Sequence, residues 1–176
     1  MNEKEILLVI PNMELKTDAN LYSEECFAID GIVYGDCGLH KSNTYEEWLE
    51  HLKRMRYENA VPEGSVPSTT YFAVHRDSGK IAGMIDIRHR LSERLANRGG
   101  HIGYSIRPSF RGKGYAVSML ELALAKCKEI GMNEVLITCD GENIRSAKTA
   151  IHCGGKEEFT DKSRKENFRR FWIKIE

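Results

Sequence analysis

The run Arg111-Gly-Lys-Gly-Tyr-Ala116 carries two glycines, with a cation on either side of Gly112. It follows an apolar stretch, Ile102-Gly-Tyr-Ser-Ile106, closed by Arg107 and Pro108, and it precedes an amphipathic segment. A strand that hands over to a helix through such a turn presents main-chain N–H groups with no helical partner. They sit at the positive end of the helix dipole, and glycine keeps side chains from shielding them. The chemistry on offer is anion binding, above all of phosphate. Two common phosphate patterns fail. Lys113 is followed by Gly114 rather than Ser or Thr, and Val117 stands where a dinucleotide fingerprint needs its third glycine. The pattern that does fit is Arg-x-x-Gly-x-Ala, on Arg111, Gly114 and Ala116.

The elements around the turn follow from periodicity and punctuation. Residues 6–10 read as a short buried strand, and residues 14–28 as a helix with a modest apolar stripe. Residues 29–43, with Gly31, Gly35 and Gly38, read as a loop. Thr44 and Glu47 form a capping box, opening a helix with Tyr45, Trp48, Leu49, Leu52 and Met55 on one face. A second loop covers residues 57–68. Strands are predicted at 69–75 and 80–90, joined through Asp77-Ser78-Gly79, and at 101–107 after an irregular stretch at 91–99. The strongest helix spans about residues 114–130, with Gly131 as its stop. A strand at 134–138, a helix from Asn143 through His152, and a final hairpin over 168–175 complete the chain. The order β-α-α-β-β-β-α-β-α-β-β is mixed α/β, with a mainly antiparallel sheet flanked by helices in a single domain.

With this context the turn resembles the acetyl-CoA motif of the GNAT superfamily, Gln/Arg-x-x-Gly-x-Gly/Ala after a strand. The matching order covers residues 69–175, and the opening strand and two helices fit the family's layout. The run from Tyr71-Phe-Ala-Val74 through Gly83 to His101-Ile-Gly-Tyr-Ser-Ile106 is similar to a group of uncharacterised bacterial acetyltransferases. The resemblance implies transfer of acetyl from acetyl-CoA, as co-substrate and without metal, to an amine of a small molecule or a protein. It implies that the pyrophosphate sits on the turn built by Arg111, Gly112, Lys113, Gly114, Tyr115, Ala116 and Val117. It also implies that the pantetheine arm runs along Tyr104, Ser105 and Ile106, with Asn143 and Ser146 beside it. Many members carry a tyrosine acid seven residues after that asparagine, where this chain has Ala150. Candidates for the general base are His101, whose unperturbed pKa of about 6.5 suits the task, then Asp86, with Asp140 nearby. The acceptor is expected between the loops at 29–43, 57–68 and 91–99. A non-catalytic acyl-CoA-binding module remains open, and Ala150 is its best support. A nucleotide-binding enzyme on the same turn is the third reading.

Composition narrows the rest. The 176 residues hold 26 Lys and Arg against 26 Asp and Glu, so no net field favours nucleic acid or an anionic membrane. Five scattered cysteines lack Cys-x-x-Cys spacing, which argues against a disulfide framework or zinc site and fits a reducing cytoplasm. Of the six histidines, His40, His51, His75 and His89 show no metal-ligand spacing. Cys139 reads as a small core residue rather than a nucleophile. Lys162, Arg164, Lys165, Arg169 and Arg170 read as a solvated hairpin, and a homodimer is allowed for.

Overall fold

A computed structural model describes residues 5–158 and 167–175. The elements are β1 (Ile6–Val9), α1 (Lys16–Asp30), α2 (Tyr45–Met55), β2 (Ser68–His75) and β3 (Ile81–Arg88). There follow α3 (Glu93–Asn97), β4 (Ile102–Ile106), α4 (Tyr115–Glu129), β5 (Glu134–Asp140), α5 (Ile144–His152), β6 (Lys156–Glu157) and β7 (Phe168–Lys174). The predicted order holds, with one helix added. Ser92 caps α3 by accepting from the Leu95 N–H at 3.3 Å, a short capped turn inside the stretch expected to be irregular. Of the basic tail, Lys162, Arg164 and Lys165 lie outside the described residues.

The expected single sheet is two, in the orders β1-β2-β3-β4 and β5-β7-β6, with antiparallel pairing throughout. β3 is buried along almost its whole length because helices cover both of its faces. On one face α4 lays Tyr115, Met119, Leu120, Ala123 and Cys127 against Ile85, Ile87, Ile102 and Ile106. This is the four-and-three spacing of an amphipathic helix, and burial of each large side chain contributes about 1.5–3 kcal/mol. On the other face, Tyr22 from α1 and Trp48 and Leu52 from α2 close over Phe72, Ile81 and Met84. Trp48 donates its indole N–H to the Asp36 carbonyl at 2.8 Å, so α2 also fixes the loop after α1.

α1 is strapped to the end of β4. Arg107, buried, pairs with Asp18 at 2.9 Å and Glu25 at 2.7 Å, and the same Glu25 accepts the Ser109 N–H at 2.7 Å. These bonds hold the approach to the glycine turn against a rigid helix. No helix of the described residues is long and apolar enough to cross a membrane.

Candidate active site

The turn has the conformation that its glycines were expected to supply. Gly112 and Gly114 adopt φ of +79° and +84°, a left-handed region costly for other residues. A Cβ at either position would meet nothing within 4 Å, so backbone shape, not crowding by the protein, demands glycine there. Among the described residues, no acceptor takes the main-chain N–H of Gly112, Lys113, Gly114, Tyr115 or Ala116. The next N–H groups, of Val117 and Ser118, turn back to the Gly114 carbonyl at 3.0 and 3.2 Å. The result is a cluster of unpaired donors at the start of a 15-residue helix, in open space and suited to a diphosphate.

Side chains in this stretch have other tasks. The Arg111 guanidinium pairs with Asp30 and donates through Nε to the Ile106 carbonyl at 2.9 Å, tying the turn to α1 and β4. The Tyr115 hydroxyl donates to Glu5 at 2.9 Å. Lys113 lies over the Phe110 ring, its Nζ 5.7 Å from the centroid. The main chain is therefore the binding surface, with Lys113 exposed beside it.

Upstream of the turn, hydrogen-bond alternation shows which edge of β4 is free. Arg88 N–H donates to the His101 carbonyl at 2.7 Å, and Arg107 N–H to the Ala82 carbonyl at 2.8 Å. Odd-numbered residues thus face β3, while Ile102, Tyr104 and Ile106 turn their main-chain groups to the opposite edge. On β5, the Asn133 carbonyl accepts from Ile175 at 2.8 Å and Gly141 N–H donates to Asn167 at 2.6 Å. By the same alternation Leu136, Thr138 and Asp140 face β4. The two edges meet only at the top. There the His101 N–H donates to the Leu136 carbonyl at 2.7 Å, and His101 Nδ1 accepts the Leu136 N–H at 2.9 Å. Gly99 N–H adds a bond to Thr138 Oγ1 at 2.9 Å. Past this clasp the strands belong to separate sheets.

The split opens a cavity of about 150 Å³. Its walls include Tyr104, Thr138 and Asp140 from the two edges, Ser146 from α5 with its cap Asn143, and Tyr34, Arg88 and Arg98. The Asn143 side chain accepts the Ser146 N–H at 3.1 Å, capping α5. The Tyr104 hydroxyl lies 3.0 Å from Ser146 Oγ. Burial pushes the Tyr104 hydroxyl pKa up, so it stays protonated. Gly35 carries the loop after α1 across β4, where a Cβ would press into the Gly103 carbonyl. Ser105 locks that crossing, donating to the Tyr34 carbonyl at 2.7 Å while the Tyr22 hydroxyl lies 2.5 Å from its Oγ.

Several expected site residues therefore separate. Tyr104 offers the free edge and Ile106 its N–H, the Ile106 carbonyl being taken by Arg111, whereas Ser105 faces β3 with its main chain and Tyr34 with its side chain. His101, 9% exposed, is a clasp between sheets rather than a free base. Burial, and then the Arg88 charge, lower its pKa to about 4. Its Nδ1 lone pair is spent on Leu136, which places the neutral ring's proton on Nε2. Asp86, 4% exposed, lies outside the cavity wall, accepting from Thr70 at 2.9 Å with Arg88 at 3.6 Å. Asp140, exposed at the end of β5, is a carboxylate that does line the cavity. Loop 57–68 contributes nothing to its wall. Arg88 and Arg98 escaped the sequence reading. Their signals were a cation two residues after Asp86 on one strand face, and another just before Gly99-Gly100.

Comparisons with known proteins decide the family. The model of the acetyltransferase (GNAT) domain matches residues 40–156, well over half the chain. The protein belongs to the GNAT acetyltransferases. Among solved structures, the fold is similar to that of RimL, a ribosomal L7/L12 alpha-N-protein acetyltransferase in complex with coenzyme A. The TM-score is 0.69 at 15% identity, covering 98% of this chain and 96% of that one. It is also similar to the microcin C7 self-immunity acetyltransferase MccE in complex with acetyl-CoA and AMP, at 0.67 and 17%, covering 98% and 94%. A third is the Salmonella typhimurium acetyltransferase that modifies the N-terminal serine of L7/L12, at 0.66 and 15%, covering 99% and 97%. At such identities these likenesses show the fold. A comparison with curated proteins returned no match.

Proposed function

We propose that this GNAT acetyltransferase moves the acetyl group of acetyl-CoA to an amine by direct attack on the thioester. One observation carries the reading. Unpaired amides at the turn follow directly on the β4 edge, where the Ile106 N–H and the main chain of Tyr104 are free and Tyr104 lines the cavity. The N–H groups of residues 112–116 take the pyrophosphate. Tyr104 and Ile106 take the amides of the pantetheine arm, with Asn143 and Ser146 across from them. The thioester then reaches the cavity under the His101–Leu136 clasp.

In the reaction the amine lone pair bonds to the carbonyl carbon, and the carbon–sulfur bond breaks with its electron pair going to sulfur. The nitrogen gives up one proton, and sulfur gains one. An alkyl amine with a pKa near 10.4 is neutral in about one molecule per 10³ at pH 7, a deficit of about 4 kcal/mol. Asp140 is placed to accept the nitrogen's proton. The Tyr104–Ser146 hydroxyl pair is placed to supply the sulfur's, in place of the tyrosine that Ala150 does not provide. Main-chain N–H groups on the β4 edge suit the developing oxyanion. His101 acts by holding the two edges in register.

Thiol release from acetyl-CoA over a panel of amines, with mass analysis of the acceptor, tests this. The expected result is amine-dependent release with an N-acetyl product. CoA binding without release for any amine would instead support a non-catalytic acyl-CoA module.

A further inference from the structure

The cavity's two arginines differ in how their charge is met. Arg88 lies 3.6 Å from Asp86, and its Nη1 donates to the carbonyls of Gly99 and Gly100 at 2.9 and 3.1 Å. Its role is to hold the Gly99–Gly100 bend. Arg98 precedes that bend and has no carboxylate within ion-pair distance among the described residues. Its guanidinium carbon lies over the Phe168 ring, 4.3 Å from the centroid. A guanidinium held this way through its carbon keeps its N–H groups available for a planar anion, which it can take in two parallel hydrogen bonds.

The mounting of Arg98 is rigid. Its own N–H donates to the Arg94 carbonyl at 2.8 Å, and the next residue is pinned to Thr138. Arg170 on β7 donates to the Ala96 carbonyl, fixing α3 from the other side. Tyr34 feels the charges of both Asp140 and Arg98, so the three converge at the acceptor end of the cavity. The site thus presents a carboxylate and an exposed cation on an anchored backbone to whatever enters.

We infer that the acceptor is a small amino acid-like molecule whose carboxylate is taken by Arg98 while its amine faces Asp140. The inference rests on the acetyl-transfer reading above and names its substrate class. Arg98 is then a specificity residue.

The test compares free amino acids with their carboxamides and with short peptides carrying the same N-terminal residue, all with acetyl-CoA. The wild-type protein should favour at least one free acid over its carboxamide by about 10- to 100-fold in kcat/KM, the range for one charge-assisted bond. In Arg98→Gln the acid-to-amide ratio should fall towards one, with KM for acetyl-CoA unchanged. Titration of the CoA-loaded protein with N-acetylated acids and their amides reads the same preference without turnover. Equal use of acids and carboxamides, preference for peptides, or a ratio unmoved in Arg98→Gln overturns the inference while acetyl transfer stands. Absence of CoA binding and thiol release would remove the underlying reading instead.

Discussion

His101→Asn separates the clasp from its titration. Asparagine can place Oδ1 where Nδ1 now accepts the Leu136 N–H, but it carries no ionisable group. In the folded protein His101 has its pKa lowered from 6.5 to about 4. Between those values the unfolded chain binds the extra proton, so stability is complete above 6.5 and drains away as pH falls towards 4. From pH 7.5 to 5.0 this one group should remove about 2 kcal/mol. His51 and His89, also lowered by burial, pull in the same direction and remain in the variant. Urea unfolding at both pH values therefore isolates His101 by difference. His101→Asn should cost about 1 kcal/mol at pH 7.5, from lost packing of the ring. Its acid-induced loss should be smaller than the wild type's by about 2 kcal/mol. His101→Phe, which orphans the Leu136 N–H, should cost about 1–3 kcal/mol more at pH 7.5. Equal acid sensitivity in wild type and His101→Asn would refute the clasp.

Gly35→Ala places a methyl against β4 at a φ of +76°. Urea unfolding should show a loss of about 2 kcal/mol or more, or the acceptor KM should rise as the loop lifts. Asp140→Asn should lower kcat by about 100-fold with an unchanged unfolding midpoint. Asn143→Ala should lose about 1 kcal/mol of capping energy and raise KM for acetyl-CoA, whereas Asn143→Asp should restore stability.

Much of this arrangement was legible locally. Two glycines around Lys113, the strand before them and the helix after them announce the turn, although the bonds that anchor it to Asp30 and Glu5 come from far along the chain. Asn143 announces the start of α5 for the same reason. The division of the sheet was not legible, because it depends on where the β4 and β5 edges part beyond the contact of His101 with Leu136, 35 residues away. A histidine beside a motif reads equally well as a base until its lone pair is seen to be occupied. Asp86 shares that ambiguity, since its surroundings include Cys37 of the loop after α1 and His51 of α2, both distant in sequence. Ser105 shows a further limit. A strand residue's face can be read from alternation, but which of its edges is already paired depends on its neighbour.

The central claim is that main-chain N–H groups at the turn grip the cofactor's diphosphate. Calorimetric titration of CoA into wild type and Gly114→Asp tests it most directly, with far-UV circular dichroism confirming the fold. A carboxylate at that open position opposes the phosphates, so affinity should drop by at least about 100-fold with the spectrum unchanged. Equal CoA affinity in the two proteins would contradict the account.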